Sequence, residues 1–178
     1  MKKYILNTIL VFVVTASSVV AQSLWTNNEE GFAARFPSNP SKVKATASGG
    51  SGYAFQSTKQ FSNGAALFAV TIVEQIPSRF QTEKLKNYIE ESNNEFIKSM
   101  GVNPTNAQTK WTKFGDRRPQ LNYDFSLQYK GANLKAKGFW VVDKSRILRI
   151  SVTYTGKLLK GEIKNITDFL DTFIIIEE

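Results

Sequence analysis

The sequence predicts an α/β fold of the α+β kind, a three-layer α/β/α sandwich in which helices cover both faces of an antiparallel β-sheet. Three observations carry that expectation. Residues 66–74, "ALFAVTIVE", are apolar on both faces, as in a mid-sheet strand covered on each side. Two stretches, Thr82 to Met100 and roughly Leu158 to Phe173, repeat apolar residues at spacings of three and four. Between them, alternating runs are joined by short connections that suit antiparallel neighbours.

Each element follows from local chemistry. In "GFAARF", Gly31 to Phe36, Phe32, Ala34 and Phe36 alternate with Ala33 and Arg35, the period of a strand. "PSNPS" stops it, since neither Pro37 nor Pro40 can donate to a ladder. Lys42 to Gly52, containing "SGGSG", is expected to be a flexible loop. Tyr53 to Phe61 and Ala65 to Glu74 flank the turn signal "SNG" and form a hairpin.

The first helix has Thr82 as N-cap, Glu83 at the positive end of its dipole and Gly101 as a stop. Its apolar stripe is Leu85, Tyr88, Ile89, Phe96, Ile97 and Met100, with Ser92 as the small residue. The second helix carries Leu159, Ile163, Ile166, Leu170 and Phe173 on one face, and Gly161 costs its first turn about 1 kcal/mol relative to alanine. Strands are expected at Gln108–Phe114, over "LNYDFSLQY", at Leu134–Val142 and at Arg146–Tyr154, with turns at "GDRRPQ", "KGAN" and "DKS". If Asp143 and Arg146 close the last turn, Val141 faces Leu148 and Phe139 faces Ile150, while Trp140 faces Arg149 on the other side.

The N-terminus has a different purpose. "MKKYILNTILVFVVTASSVVAQS" places Lys2 and Lys3 before an apolar stretch that ends in small residues, the three-part design of a secretory signal peptide. The apolar run falls short of the roughly 20 residues a spanning helix needs, so cleavage after Ala21 is expected and no transmembrane segment remains. No cysteine stands at the cleavage position to take a lipid. Residues 22–178 then form one domain, periplasmic or secreted.

Composition narrows the chemistry. The chain has no cysteine and no histidine. Disulfides, cysteine nucleophiles, histidine-activated nucleophiles, zinc sites with N or S ligands and haem ligation by these residues are all excluded. The net charge of +8 falls to +6 when the two leader lysines are removed. Outside the cytoplasm such charge points to anionic envelope polymers or lipid head groups before nucleic acid. Base stacking would need several aromatics on one basic face, and only Trp140 qualifies, so no nucleic-acid partner is expected.

Candidate binding residues fall in two places. Trp140 opposite Arg149 is either a packing pair at the rim of a covered face or an exposed aromatic-plus-cation platform. Whether the C-terminal helix covers it is left open. Lys110, Lys113, Arg117 and Arg118 cluster about the "GDRRPQ" turn with Trp111 and Phe114 between them, and there Lys113, Arg117 and Arg118 are the candidate docking residues. The rival reading is a solvated hairpin end.

Enzyme signals are weak. Ser41 and Lys44 match a Ser-x-x-Lys spacing, but in an expected loop with nothing rigid to desolvate the lysine. Glu29-Glu30 and Glu90-Glu91 read as solvated surface, and Asp124 with Asp143 is a carboxylate pair to test against the spacing that glycoside hydrolysis requires. No Gly-rich phosphate loop opens a helix. Neither a catalytic residue nor a cofactor is expected.

"GFAARFPSNPS", the hairpin ending at "TIVEQIP", the helix closing at Gly101, "FGDRRPQLNYDFSLQYKG", "RILRISVTY" and "FLDTF" together resemble the PsbP-like superfamily, a group that resembles the extrinsic P subunit of photosystem II and the MOG-type Ran-binding proteins. "RFPSNP" and "FLDTF" are the most telling of these stretches. The resemblance implies an α/β/α sandwich over residues 22–178, and members that act as assembly or accessory factors more often than as enzymes. Some members bind metal ions, a property not carried over to a chain without histidine. The expectation is a non-catalytic exported module docking on another envelope protein, with basic binding of an anionic polymer or lipid as the alternative.

Overall fold

A computed structural model of the chain describes residues 24–47, 50–73, 82–115, 118–143 and 146–176. The leader expected over 1–21 and the pair Asp116-Arg117 lie outside the described residues. In chain order the elements are β1 (Trp25–Asn27), β2 (Phe32–Ala34), β3 (Ser41–Ala47), β4 (Gly50–Phe61), β5 (Gly64–Val73) and α1 (Thr82–Ser99). A 3-10 turn, Pro104–Asn106, leads into β6 (Gln108–Phe114), β7 (Arg118–Tyr129), β8 (Ala132–Asp143), β9 (Arg146–Thr155), α2 (Lys160–Asp171) and β10 (Ile174–Ile175).

Seven strands form one antiparallel sheet in the order β3-β4-β5-β9-β8-β7-β6. The strand that is apolar on both faces, β5, lies between β4 and β9, and its Phe68, Val70 and Ile72 are fully buried. The β8–β9 register pairs Asp143 with Arg146, Val141 with Leu148, Phe139 with Ile150 and Trp140 with Arg149, as the alternation in this hairpin dictates. At Gly138 the strands approach so closely that an added Cβ would stand 2.0 Å from the Ile150 carbonyl oxygen and 2.8 Å from the Tyr123 hydroxyl. Only glycine fits there.

The expected three-layer α/β/α sandwich is overturned. The chain is mostly β, with ten strands in two antiparallel sheets and two α-helices among the described residues. The second sheet has the order β1-β2-β10 and joins the two ends of the described chain, with Ile174 opposite Ala33 and Trp25 opposite Ala34. It shares one core with α2 and the large sheet: Phe32, Ala34 and Phe36 pack with Phe55, Phe68, Phe139, Phe169 and Phe173. That layer is therefore part strand and part helix. Each fully buried phenylalanine in it, such as Phe32, Phe68 or Phe169, contributes about 1.5–3 kcal/mol.

Three smaller expectations also change. Lys42 to Gly52 is not a loop through its first half, because β3 pairs with β4 from Ser41 opposite Gln56 to Ala47 opposite Gly50. The serine-glycine composition masks an alternation in which Val43 and Ala45 are half-buried and Lys42 and Lys44 exposed. In α2 the inward residues are Ile166 and Phe169, while Leu159 and Ile163 are exposed. The helix turns this way because the Phe169 ring meets Phe36 at 5.0 Å and Phe68 at 5.3 Å. In α1 the polar residue that is buried is Asn93, not Ser92.

The other core lies under α1. Ile89 and Ile97 pack with Leu121, Tyr123, Phe125, Leu127 and Trp140, the dry side of "LNYDFSLQY" and its neighbours. No helix among the described residues is long and apolar enough to cross a membrane.

Candidate functional site

β6 and β7 meet at a turn where Gly115 takes φ +59, and the two strands run back antiparallel from Phe114 opposite Arg118. This end of the hairpin forms one wall of an open cleft with a volume of about 1010 Å³. Lys113, Arg118, Gln120 and Asn122 line it from the sheet, and Leu170, Asp171 and β10 line it from the opposite side. Phe114, Phe139 and Phe173 form its apolar wall, with ring centroids 5.8–6.0 Å apart. A charged mouth over an aromatic wall can hold a ligand that has both an anionic and an apolar part.

The polar side chains here are held in place. Asn122 donates through Nδ2 to Thr112 Oγ1 at 2.7 Å and to the Lys110 carbonyl at 3.1 Å, while Gln120 Nε2 donates to Asn122 Oδ1 at 2.6 Å. Arg118 is set by a chain of alternating charges: Arg118 Nη2 lies 3.7 Å from Asp143 Oδ1, Asp143 Oδ2 lies 3.0 Å from Arg146 Nη2, and Arg146 Nη1 lies 3.2 Å from Glu30 Oε2. Lys42 closes the chain on Glu30 Oε1 at 3.3 Å. Glu30 is buried, which corrects its reading as solvated surface, whereas Glu90 and Glu91 are exposed. Burial of Glu30 and Asp143 is tolerable because each faces guanidinium donors, and removing one partner would strand a charge.

Trp140 and Arg149 lie elsewhere, under α1. Trp140 is only 3% exposed, and its indole Nε1 donates to Asn93 Oδ1 at 2.9 Å. The Arg149 guanidinium lies 3.9 Å from the Phe96 ring centroid and 5.3 Å from that of Trp140, and Nη2 donates to Thr71 Oγ1 at 3.3 Å. The pair is therefore internal packing, and an exposed platform is not what it forms; the element above it is α1 and not the C-terminal helix. Burial lowers the Arg149 pKa. Burial also pushes the Tyr123 phenol up to about 12, opposed in part by the Arg149 charge.

Of the residues singled out from sequence, the structure brings Lys113 and Arg118 to one cleft, places Trp140 and Arg149 apart from it, and does not describe Arg117. Gln120, Asn122, Asp171 and Phe173 were not legible as site residues, because the cleft joins segments from opposite ends of the domain. The catalytic arrangements fail geometrically. Ser41 and Lys44, three apart in β3, project to opposite faces of the strand. Asp124 sits opposite Lys137, and Asp143 lies six residues farther along β8, about 20 Å away at strand rise and beyond any hydrolytic pair. Among the described residues no three acidic side chains gather where they would hold a metal ion. No family model matches the chain, and a search of curated proteins finds no match either.

Proposed function

We propose that the chain is a non-catalytic, exported accessory module that docks on another cell-envelope protein through the cleft at the β6–β7 end. One observation carries the reading: Arg118, paired with buried Asp143, lines an aromatic-walled cleft that Lys113 also lines at the strand edge. Such a site fits a partner segment that presents a carboxylate beside an apolar side chain. The resemblance to a superfamily of assembly and accessory factors favours the same class of role. The leader-like N-terminus supports an exported location.

The test is affinity capture from envelope extract with the fragment from Gln22 as bait, at low and high salt. A discrete protein retained at high salt, and lost when the bait carries Lys113→Glu, is the expected result. Recovery of only anionic polymer or lipid, released by salt, would replace this reading with charge-dominated surface binding. A partner retained equally by the Lys113→Glu bait would sink the site assignment.

A further inference from the structure

The strand that brings Lys113 to the cleft is also an open edge. β6 is terminal in the seven-stranded sheet, pairs with β7 through all seven of its residues, and no described strand pairs with its other side. Alternate residues of such an edge direct N–H and C=O groups outward, a template for an added strand. Protein edges are commonly blunted by proline, bulges or lysine; β6 has an unbroken register and no proline, and only lysine is used. Lys110 and Lys113 are both exposed and form no ion pair among the described residues. Three residues apart, they project to opposite faces of the strand. Trp111 stands beside them, with Lys86 Nζ 5.9 Å from its ring centroid and its indole N–H donated to Glu90 Oε1 at 2.6 Å. A cation and a carboxylate of α1 thus both flank the edge, and the unpaired charge there comes from Lys110 and Lys113.

The opposite edge differs. In β3, Lys42 is turned to Glu30 at 3.3 Å and lies over the Tyr53 ring at 3.9 Å, so of its two lysines only Lys44 is exposed without such a partner among the described residues, against two on β6. The lysines of β6 would repel a second copy of this edge, since like charges across a strand pair are destabilising. They would attract a strand that carries carboxylates.

We infer that β6 is a strand-addition site that takes an extended acidic segment of another protein as an eighth strand, with acidic residues three positions apart meeting Lys110 and Lys113. This deepens the docking reading and rests on it: the added strand supplies the main-chain pairing, and its end nearest Phe114 reaches the cleft. Such a mode asks little of partner sequence beyond extension and charge.

The probe is a synthetic peptide long enough to span β6, rich in valine and threonine, with two glutamates three positions apart. Binding is followed by calorimetry and by amide hydrogen exchange of the mature fragment. The peptide is expected to bind, to slow exchange of alternate β6 amides, and to weaken by about tenfold when the glutamates become glutamines. N-methylation of its alternate amides on the pairing side should abolish binding. Failure to bind, or binding that survives that methylation, would overturn the inference. Binding that leaves β6 amides unprotected but falls with Arg118→Ala would refute strand addition while sparing the cleft. Protection of β6 amides unchanged by Arg118→Ala would keep strand addition and refute the cleft.

Discussion

Arg146 joins the first turn of the described chain to the end of the β8–β9 hairpin: its Nη1 lies 3.2 Å from Glu30 Oε2, and its Nη2 donates both to the Glu30 carbonyl and to Asp143 Oδ2. One guanidinium thus serves two buried carboxylates and one backbone carbonyl, and through Asp143 it aligns Arg118 at the cleft. Replacing Arg146 with methionine is expected to cost about 3 kcal/mol, the low end for breaking a buried pair, because Lys42 and Arg118 remain to share the stranded charges. Urea denaturation checks this. Glu30→Gln in the same chain should recover part of the loss, and a purely additive double variant would contradict the coupling.

Asn93 is the polar residue at the centre of the face by which α1 covers the sheet. It is 1% exposed and accepts the Trp140 indole N–H. Asn93→Ala orphans that donor in a dry site and should cost about 1–3 kcal/mol. The cost should shrink when Trp140 is already phenylalanine, since no indole donor is then left unmet. Thermal unfolding of the two single variants and the double variant decides it.

Tyr123 buries its hydroxyl against Gly138, near Arg149 and the Ser151 side chain. Its folded pKa, about 12, stands above the ordinary 10.0, so the neutral phenol is the form the fold prefers. The stability linked to this group is complete below pH 10 and is lost as pH rises towards 12, on the order of 2 kcal/mol. Tyr123→Phe should flatten that part of the stability profile relative to the parent chain and leave neutral-pH stability unchanged or slightly raised. Equal slopes for the two proteins between pH 10 and pH 12 would refute this role.

Gly138 gives the complementary case. Gly138→Ala must push β8 from the Ile150 carbonyl, a backbone atom that cannot swing aside, and should cost more than the 1–3 kcal/mol typical of overpacking. Gly161→Ala, in α2 with open space around its Cβ position, should instead stabilise by about 1 kcal/mol. The paired comparison in one denaturation series separates close approach from glycine content.

These contacts mark how much the sequence could reveal. The β8–β9 register was legible because a short turn and strict alternation leave one pairing that buries Val141 and Ile150 together. β5 was legible because a run apolar on both sides has one place in a sheet. The small sheet was not, since Ile174–Ile175 is too short for a period and pairs with the strand expected at Gly31–Phe36 across almost the whole chain. That omission produced the mistaken three-layer expectation. Glu30 read as surface because its partner, Arg146, is distant in sequence, and the cleft was half-visible because Lys113 and Arg118 lie in one hairpin while Asp171 and Phe173 come from the far end.

Glu162 ties the start of α2 to the β4–β5 turn. Its Oε2 accepts from Leu159 N–H at 2.7 Å and its Oε1 from Ser62 N–H at 2.8 Å. These two amide donors hold its carboxyl below the usual carboxylate range. With the folded pKa depressed, the contribution is present above the ordinary value of 4.5 and is lost as pH falls through the folded value. Acid should therefore release the first turn of α2 before the sheet opens. Protection of the Ile163 and Lys164 amides, relative to their intrinsic exchange rate at each pH, is expected to fall below pH 4.5, and Glu162→Gln should show the same loss of protection already at neutral pH. The cleft is lined by Leu170 and Asp171 at the other end of this helix, anchored by buried Phe169 and Phe173. Fraying confined to the first turn predicts unchanged partner affinity in Glu162→Gln; a loss of affinity would mean that α2 moves as one piece and that its N-terminal tether controls the site.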